Sequence, residues 1–75
     1  MSDTITRLLD AAETGIRLRG YHAVSFRDLA EELGIKSSSV HYYFQQKEDL
    51  GLAVVERYTE RVFAALTAET ANTET

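Results

Sequence analysis

The chain contains no cysteine, no proline and no tryptophan among its 75 residues. Without cysteine it can form neither a disulfide framework nor a thiolate metal site. Proline breaks the interior of a helix, so its absence favours a chain that is helical almost throughout. A chain of this length forms one small domain, which buries only about 60% of its unfolded surface.

Long apolar segments and a secretion signal are also missing. No apolar run approaches the roughly 20 residues that a membrane span needs. The N-terminal residues, MSDTITRL, have neither the basic region nor the apolar core of a signal peptide. We therefore expect a cytoplasmic protein that makes no membrane contact.

The sequence has few of the signals that accompany catalysis or cofactor binding. No glycine pattern marks a phosphate-binding loop. A helical chain this short offers no cleft that would keep a catalytic triad away from water. His41 has no second histidine or acid at metal-ligand spacing, and His22 has only a loop setting. We expect no catalytic residue, no metal and no cofactor.

Basic residues are outnumbered overall, with a net charge of −4, but they are unevenly distributed. Residues 15–47 carry five basic and three acidic side chains. By contrast, residues 1–14 carry one basic and three acidic side chains, and residues 48–75 carry two basic and six acidic ones. No Asp or Glu lies between Gly34 and Lys47. Exposed charges are screened beyond about 8–10 Å, so this local balance matters more than the total. An excess of two charges is still compatible with chance.

Residues 25–44 have the pattern of two short helices joined by a turn. Ser25 lies three residues before Asp28, which is typical of a capped helix start. Gly34, followed by apolar Ile35, is typical of a left-handed residue that ends a helix. Between them, apolar residues recur at helical spacing: Phe26, Leu29, Ala30 and Leu33. A second helix is predicted from Ser37 to Phe44 with Val40 and Phe44 facing inward, which gives a helix-turn-helix.

A first, longer helix is predicted ahead of this motif. It begins at Ser2 or Asp3, where a side chain can cap its first turn, and ends at Gly20. We expect Ala23 and Val24 of the following loop to pack into the core.

A fourth helix is predicted over residues 48–68, with acids in its first turn where the helix dipole favours them. From about Tyr58 its apolar side chains extend beyond the three shorter helices and have no visible partner. Residues 69–75 are polar and aperiodic, so we expect a disordered tail. The expected organisation is a helix-turn-helix unit over residues 1–47, a connecting helix and the tail, as the N-terminal part of a longer protein.

The second helix of the motif carries side chains that suit DNA. In a helix-turn-helix this helix enters the major groove, and its N-terminal residues contact bases. Hydroxyl groups can bind bases or phosphates, and a cation just after the helix, Lys47, can neutralise a phosphate. Arg27 can reach a phosphate or a guanine. A serine run is more often an ordinary loop, but its place directly between the glycine turn and HYYF favours DNA contact.

These features together resemble a known family. The segment GYHAVSFRDLAEELGIKSSSVHYYFQQKEDL, residues 20–50, resembles the DNA-binding domain of TetR-type transcriptional regulators. The matching features are Gly20, Ser25, Leu29-Ala30, Gly34-Ile35, Val40 to Phe44, Lys47-Glu48 and Leu50. The resemblance implies an all-α fold: a three-helix, homeodomain-like helix-turn-helix domain followed by a long connecting helix.

The resemblance also implies which residues bind DNA. The residues expected to face the DNA are Arg27, Ser37, Ser38, Ser39, His41 and Tyr42. Ser25, Tyr43 and Lys47 are expected on the phosphates, and Lys36 is a further candidate. Lys36 stands where the family often has a Ser or Thr cap, so the cap is expected to move to Ser37.

For the whole protein, the resemblance implies a repressor relieved by a small ligand. It would be a homodimer on an inverted-repeat operator of double-stranded DNA, and a C-terminal domain that this chain lacks would bind the effector and dimerise. The alternative is a helical protein-interaction module that uses residues 48–68 to dock on a partner helix.

Overall fold

A computed structural model of the chain describes the backbone of residues 3–74 and the side chains of residues 4–68. The predicted cap at Ser2 lies outside the described residues. Within them the chain forms four α-helices and one 3₁₀ turn, and no strand, which confirms the all-α fold. The elements are α1 (Asp3–Arg19), the 3₁₀ turn (Tyr21–Ala23), α2 (Phe26–Leu33), α3 (Ser37–Tyr43) and α4 (Lys47–Glu74).

A single small core holds the four helices together. Its buried members are Leu8, Ala12, Val24, Leu29, Ala30, Val40, Leu50 and Val54. Val24 is buried as expected, but the prediction for Ala23 is wrong because Ala23 is exposed. Ala23 is the last residue of the 3₁₀ turn. A 3₁₀ helix has three residues per turn, so the side chains of Ala23 and Val24 point in different directions, and only Val24 is directed inward.

The turn between α2 and α3 is fixed by local hydrogen bonds, as the sequence predicts. The Ser25 Oγ accepts the N–H of Asp28 at 3.1 Å and caps the start of α2. Gly34 adopts the left-handed conformation, with φ 73°. The N–H of Ile35 donates to the Ala30 carbonyl at 2.9 Å, and this bond closes the end of α2.

The helix α3 begins at Ser37 as predicted, but its cap residue differs from the one that the resemblance implied. The cap position is occupied by Lys36, whose side chain makes no capping bond, and Ser37 is already the first helical residue. The N–H of Ser39 donates to the backbone carbonyl of Lys36 at 2.9 Å. The short connection after Gly34 sets this register, so the helix begins at Ser37 although Lys36 offers no acceptor side chain.

Helix α4 is longer than predicted. It begins at Lys47, after Gln46, whose N–H donates to the Asp49 carboxylate at 3.2 Å. Its backbone remains helical to Glu74 rather than ending at residue 68, so the stretch predicted as a disordered tail is helical as far as it is described. Among the α4 side chains that the structure describes, only Leu50 and Val54 are buried. The apolar side chains beyond them are exposed: Tyr58, Val62, Phe63 and Leu66.

Ion pairs hold α4 against α1. The Glu13 carboxylate, which is almost completely buried, accepts hydrogen bonds from Arg57 at 2.8 Å and from Arg61 at 2.6 Å. Arg57 also pairs with Asp10 at 2.8 Å. The hydrogen bond from Arg57, followed by that from Arg61, lowers the pKa of Glu13. The hydrogen bond to Glu13 in turn raises the pKa of Arg57. These pairs fix the part of α4 that follows its buried residues.

Candidate nucleic-acid interface

Helix α3 exposes one side because a single buried residue fixes the other. Val40 is 0% exposed and is the one buried residue of the helix. At about 100° per residue, Ser38 and Tyr42 each lie about 160° around the helix from Val40. Ser38 is exposed, and Tyr42 is 82% exposed. Phe44, just after the helix, is half-buried and packs against the core, so the predicted inward positions are confirmed.

The residues at the start of α3 offer small polar groups and one cation. Lys36, Ser37 and Ser38 are exposed, and Ser39 is half-buried. A serine hydroxyl both donates and accepts hydrogen bonds on a very short side chain, which lets a helix come close to its target. The N-terminal end of α3 can therefore be approached closely by a polar ligand.

Helix α2 lies beside α3 and contributes to the same side of the molecule. The His41 ring meets the Phe26 ring edge-on, with centroids 4.7 Å apart, while His41 itself stays exposed. Arg27 is exposed in the first turn of α2. Ser25 uses an Oγ lone pair for the cap, so its hydroxyl hydrogen is still free to donate. The sequence did not reveal the Phe26–His41 contact, because helical spacing assigned Phe26 to the core.

Two neighbouring tyrosines follow His41. The Tyr42 and Tyr43 rings meet edge-on with centroids 5.2 Å apart. Together with Thr4, Ile35 and Ser39 they line a shallow recess of about 190 Å³, so the first turn of α1 lies next to α3. Tyr43 is less exposed than Tyr42 and lies closer to this junction.

Lys47 opens α4, four residues after α3 ends, and lies over an aromatic ring. Its Nζ is 4.6 Å from the centroid of Tyr21, a residue of the 3₁₀ turn. The side chain is half-buried. The sequence placed Lys47 among the site residues but not Tyr21, because their contact spans 26 positions and no periodicity connects them.

The ten predicted DNA-binding residues thus belong to one continuous segment, Ser25 to Lys47, and six of them lie in α3. Acidic side chains are absent between Gly34 and Lys47. In the part of the chain that is described, no group of His, Cys, Asp or Glu side chains could hold a metal ion. Nor does any helix among the described residues combine the length and hydropathy of a membrane span.

Comparison with known proteins gives consistent results. Residues 8–54, more than half of the chain, match the family model of bacterial regulatory proteins of the tetR family. This chain belongs to the tetR family. It is 34% identical over 58 residues to the HTH-type transcriptional repressor KstR2 of Rhodococcus jostii, a match that covers 77% of this chain and 28% of that protein.

Solved structures of transcriptional regulators have the same fold. A TetR transcriptional regulator from Legionella pneumophila is 44% identical, with a TM-score of 0.86 over 91% of this chain and 37% of its own. A regulator from Saccharomonospora viridis, solved in complex with choline, is 36% identical, with a TM-score of 0.87 over 92% of this chain and 36% of its own. The chain therefore spans about a third of the length of these relatives. The described helices form the DNA-binding domain of a tetR-family transcriptional regulator.

Proposed function

We propose that residues 25–47 bind double-stranded operator DNA with α3 in the major groove. The observation that supports this most is the orientation of α3: Val40 fixes the inner side, so Ser38 and Tyr42 point away from the core. A helix-turn-helix contacts bases through the outward side of this helix.

The proposed roles of the ten residues rest on the chemistry of their side chains and on the family resemblance. Base contacts are proposed for Ser37, Ser38, Ser39 and Tyr42. Arg27 would contact a base or a phosphate, and His41 a phosphate. Phosphate contacts are also proposed for Ser25, Lys36, Tyr43 and Lys47. Phosphate contacts set the register of the protein on the duplex, whereas base contacts carry the sequence preference.

Substitution of Lys47 tests the phosphate contacts. Each phosphate that a protein neutralises contributes about −0.9 to the slope of log affinity against log salt concentration. Lys47→Ala should therefore weaken binding equally on all sequences and reduce the slope by about 1. Arg17→Ala is the matched control, since it removes an exposed cation of α1 outside the proposed interface. Equal slopes for Lys47→Ala and the parent chain would remove Lys47 from the interface.

For the whole protein we propose a repressor that a small ligand releases from DNA. The repressor KstR2 and the choline complex of the Saccharomonospora viridis regulator support this proposal. Because the operator is DNA inside a bacterial cell, we propose a cytoplasmic location. Two copies would bind an inverted repeat with recognition helices about 34–36 Å apart. Selection of bound sequences from random DNA by the full-length protein tests this, and a result in which no sequence competes better than random duplex contradicts it.

The outer half of α4, residues 58–66, supports a second function that is compatible with DNA binding. Its apolar side chains are exposed to solvent: Phe63 is 70% exposed and Leu66 is 56% exposed. A contiguous exposed apolar patch of this kind marks a surface that packs against another element. We propose that this half packs against a further helical part of the longer protein. If α4 served only as a protein-interaction helix, the protein would form a salt-insensitive complex with a partner and would not be retained on DNA.

A further inference from the structure

The Lys47 ammonium group is held by a tyrosine that is itself closely packed. Its Nζ lies 4.6 Å from the Tyr21 ring centroid. The ring rests on α4 at Gly51, where an added Cβ would come within 2.8 Å of the Tyr21 Cε1 atom. Any other residue at position 51 would displace the ring. The absence of a side chain at Gly51 therefore leaves the space that the Tyr21 ring occupies, and this ring lies next to the Lys47 ammonium.

This arrangement restricts a side chain that would otherwise be mobile. Lysine has four methylene groups and many rotamers, and its ammonium must be ordered before it can hold a phosphate. The face of an aromatic ring attracts a cation that lies over it, and the Tyr21 ring covers only one side of the ammonium. An ammonium has three N–H donors, so those not directed at the ring remain available to a phosphate oxygen.

We propose that Tyr21 is a positioning residue for DNA binding: its ring, seated on Gly51, orders the Lys47 side chain so that the ammonium meets the DNA backbone. This inference rests on the proposed function of Lys47. It adds two residues, Tyr21 and Gly51, that do not belong to the predicted interface and act through Lys47.

The pairing itself is tested first, without DNA. Nuclear magnetic resonance should show the Lys47 side-chain protons shifted upfield by the Tyr21 ring. Tyr21→Phe keeps the aromatic face and should preserve the shift, whereas Tyr21→Leu keeps apolar bulk but removes the ring and should abolish it. An unchanged Lys47 signal in Tyr21→Leu would overturn the proposal.

Binding to a random-sequence duplex is tested next, at several salt concentrations, because a phosphate contact does not depend on sequence. Tyr21→Leu should bind about two- to fivefold more weakly, because the ordering of Lys47 that the ring supplies is limited by the energy of one exposed cation–π contact. Tyr21→Phe should bind as the parent chain does. Gly51→Ala should weaken binding in the same way as Tyr21→Leu. In a Lys47→Ala background, Tyr21→Leu should have no further effect.

A matched control separates this role from simple packing. Tyr58 also lies beneath a cation, with the Arg61 guanidinium carbon 5.8 Å from its centroid, but it lies eleven residues further along α4, or about 16 Å. Tyr58→Leu should leave DNA affinity and its salt slope unchanged.

Several results would contradict the proposal. Tighter binding by Tyr21→Leu would mean that the ring withholds Lys47 from DNA. Additive losses from Tyr21→Leu and Lys47→Ala would mean that Tyr21 acts through something else. If Lys47→Ala weakens binding while Tyr21→Leu does not, this inference fails and the proposed function stands. If the parent chain itself fails to bind any duplex, both fail.

Discussion

Replacement of Val40 by alanine should destabilise the domain by weakening the packing of α3 on the core. Val40 is fully buried and is the one side chain of α3 in the core. Removing two methyl groups costs about 0.8 kcal/mol each in lost burial. The cavity left behind adds to this cost, while the better helix propensity of alanine offsets part of it. The net loss should be about 2 kcal/mol, out of a total of roughly 4–11 kcal/mol for a domain of this size.

Thermal unfolding followed by far-ultraviolet circular dichroism measures this loss. At about 4–8 °C per kcal/mol for small domains, Val40→Ala should lower the Tm by about 8–16 °C. Tyr42→Ala is the matched control in the same helix: Tyr42 is exposed, so the change should stay within about 0.5 kcal/mol. At a temperature where both variants are folded, Tyr42→Ala should be the one that changes DNA binding. Equal destabilisation by the two substitutions would refute the assignment of the inner and outer sides of α3.

Three further predictions concern the contacts that hold the helices. Glu13→Gln should be less stable than the parent chain at neutral pH, and this difference should vanish on acidification. Arg57 and Arg61 lower the pKa of Glu13 in the folded chain. The ionised carboxylate therefore stabilises the fold above the ordinary pKa of 4.5, and this stabilisation is lost as the pH falls through the lowered pKa. Urea midpoints across that range measure it, and a pH-independent difference would contradict it. Ser25→Ala should cost about 1 kcal/mol through loss of the α2 cap, and an unchanged urea midpoint would show that the cap contributes nothing. Gly34→Ala should cost about 1–2 kcal/mol from the left-handed φ alone, because the added Cβ has open space around it; a loss well above that range would mean an unrecognised clash.

Local features of the fold could be predicted because short-range rules decide them. The cap at Ser25, the left-handed Gly34 and the apolar stripe of α2 each depend on residues within one or two turns. The inward position of Val40 and the outward position of Tyr42 follow from the same periodicity. The family match confirms the resemblance that these residues carry.

Features that depend on contacts distant in sequence could not be predicted. Glu13 meets Arg57 across 44 positions and Arg61 across 48, and no periodicity of the sequence indicates which acid pairs with which arginine. The contact between Lys47 and Tyr21 was missed for the same reason. The cap of α3 was wrongly assigned to Ser37 because the cap preference of Ser and Thr was given more weight than the short connection from Gly34, which leaves Lys36 at the cap position.

Titration of the isotope-labelled chain with a DNA duplex tests the central claim most directly. If α3 is the DNA-binding helix, the backbone amide signals of residues 36–43 and of Lys47 should shift most as duplex is added, and they should return towards their free positions as salt is raised. The signals of the outer half of α4, residues 58–66, should remain in place. The largest shifts in the outer half of α4, with residues 36–43 unmoved, would contradict the account.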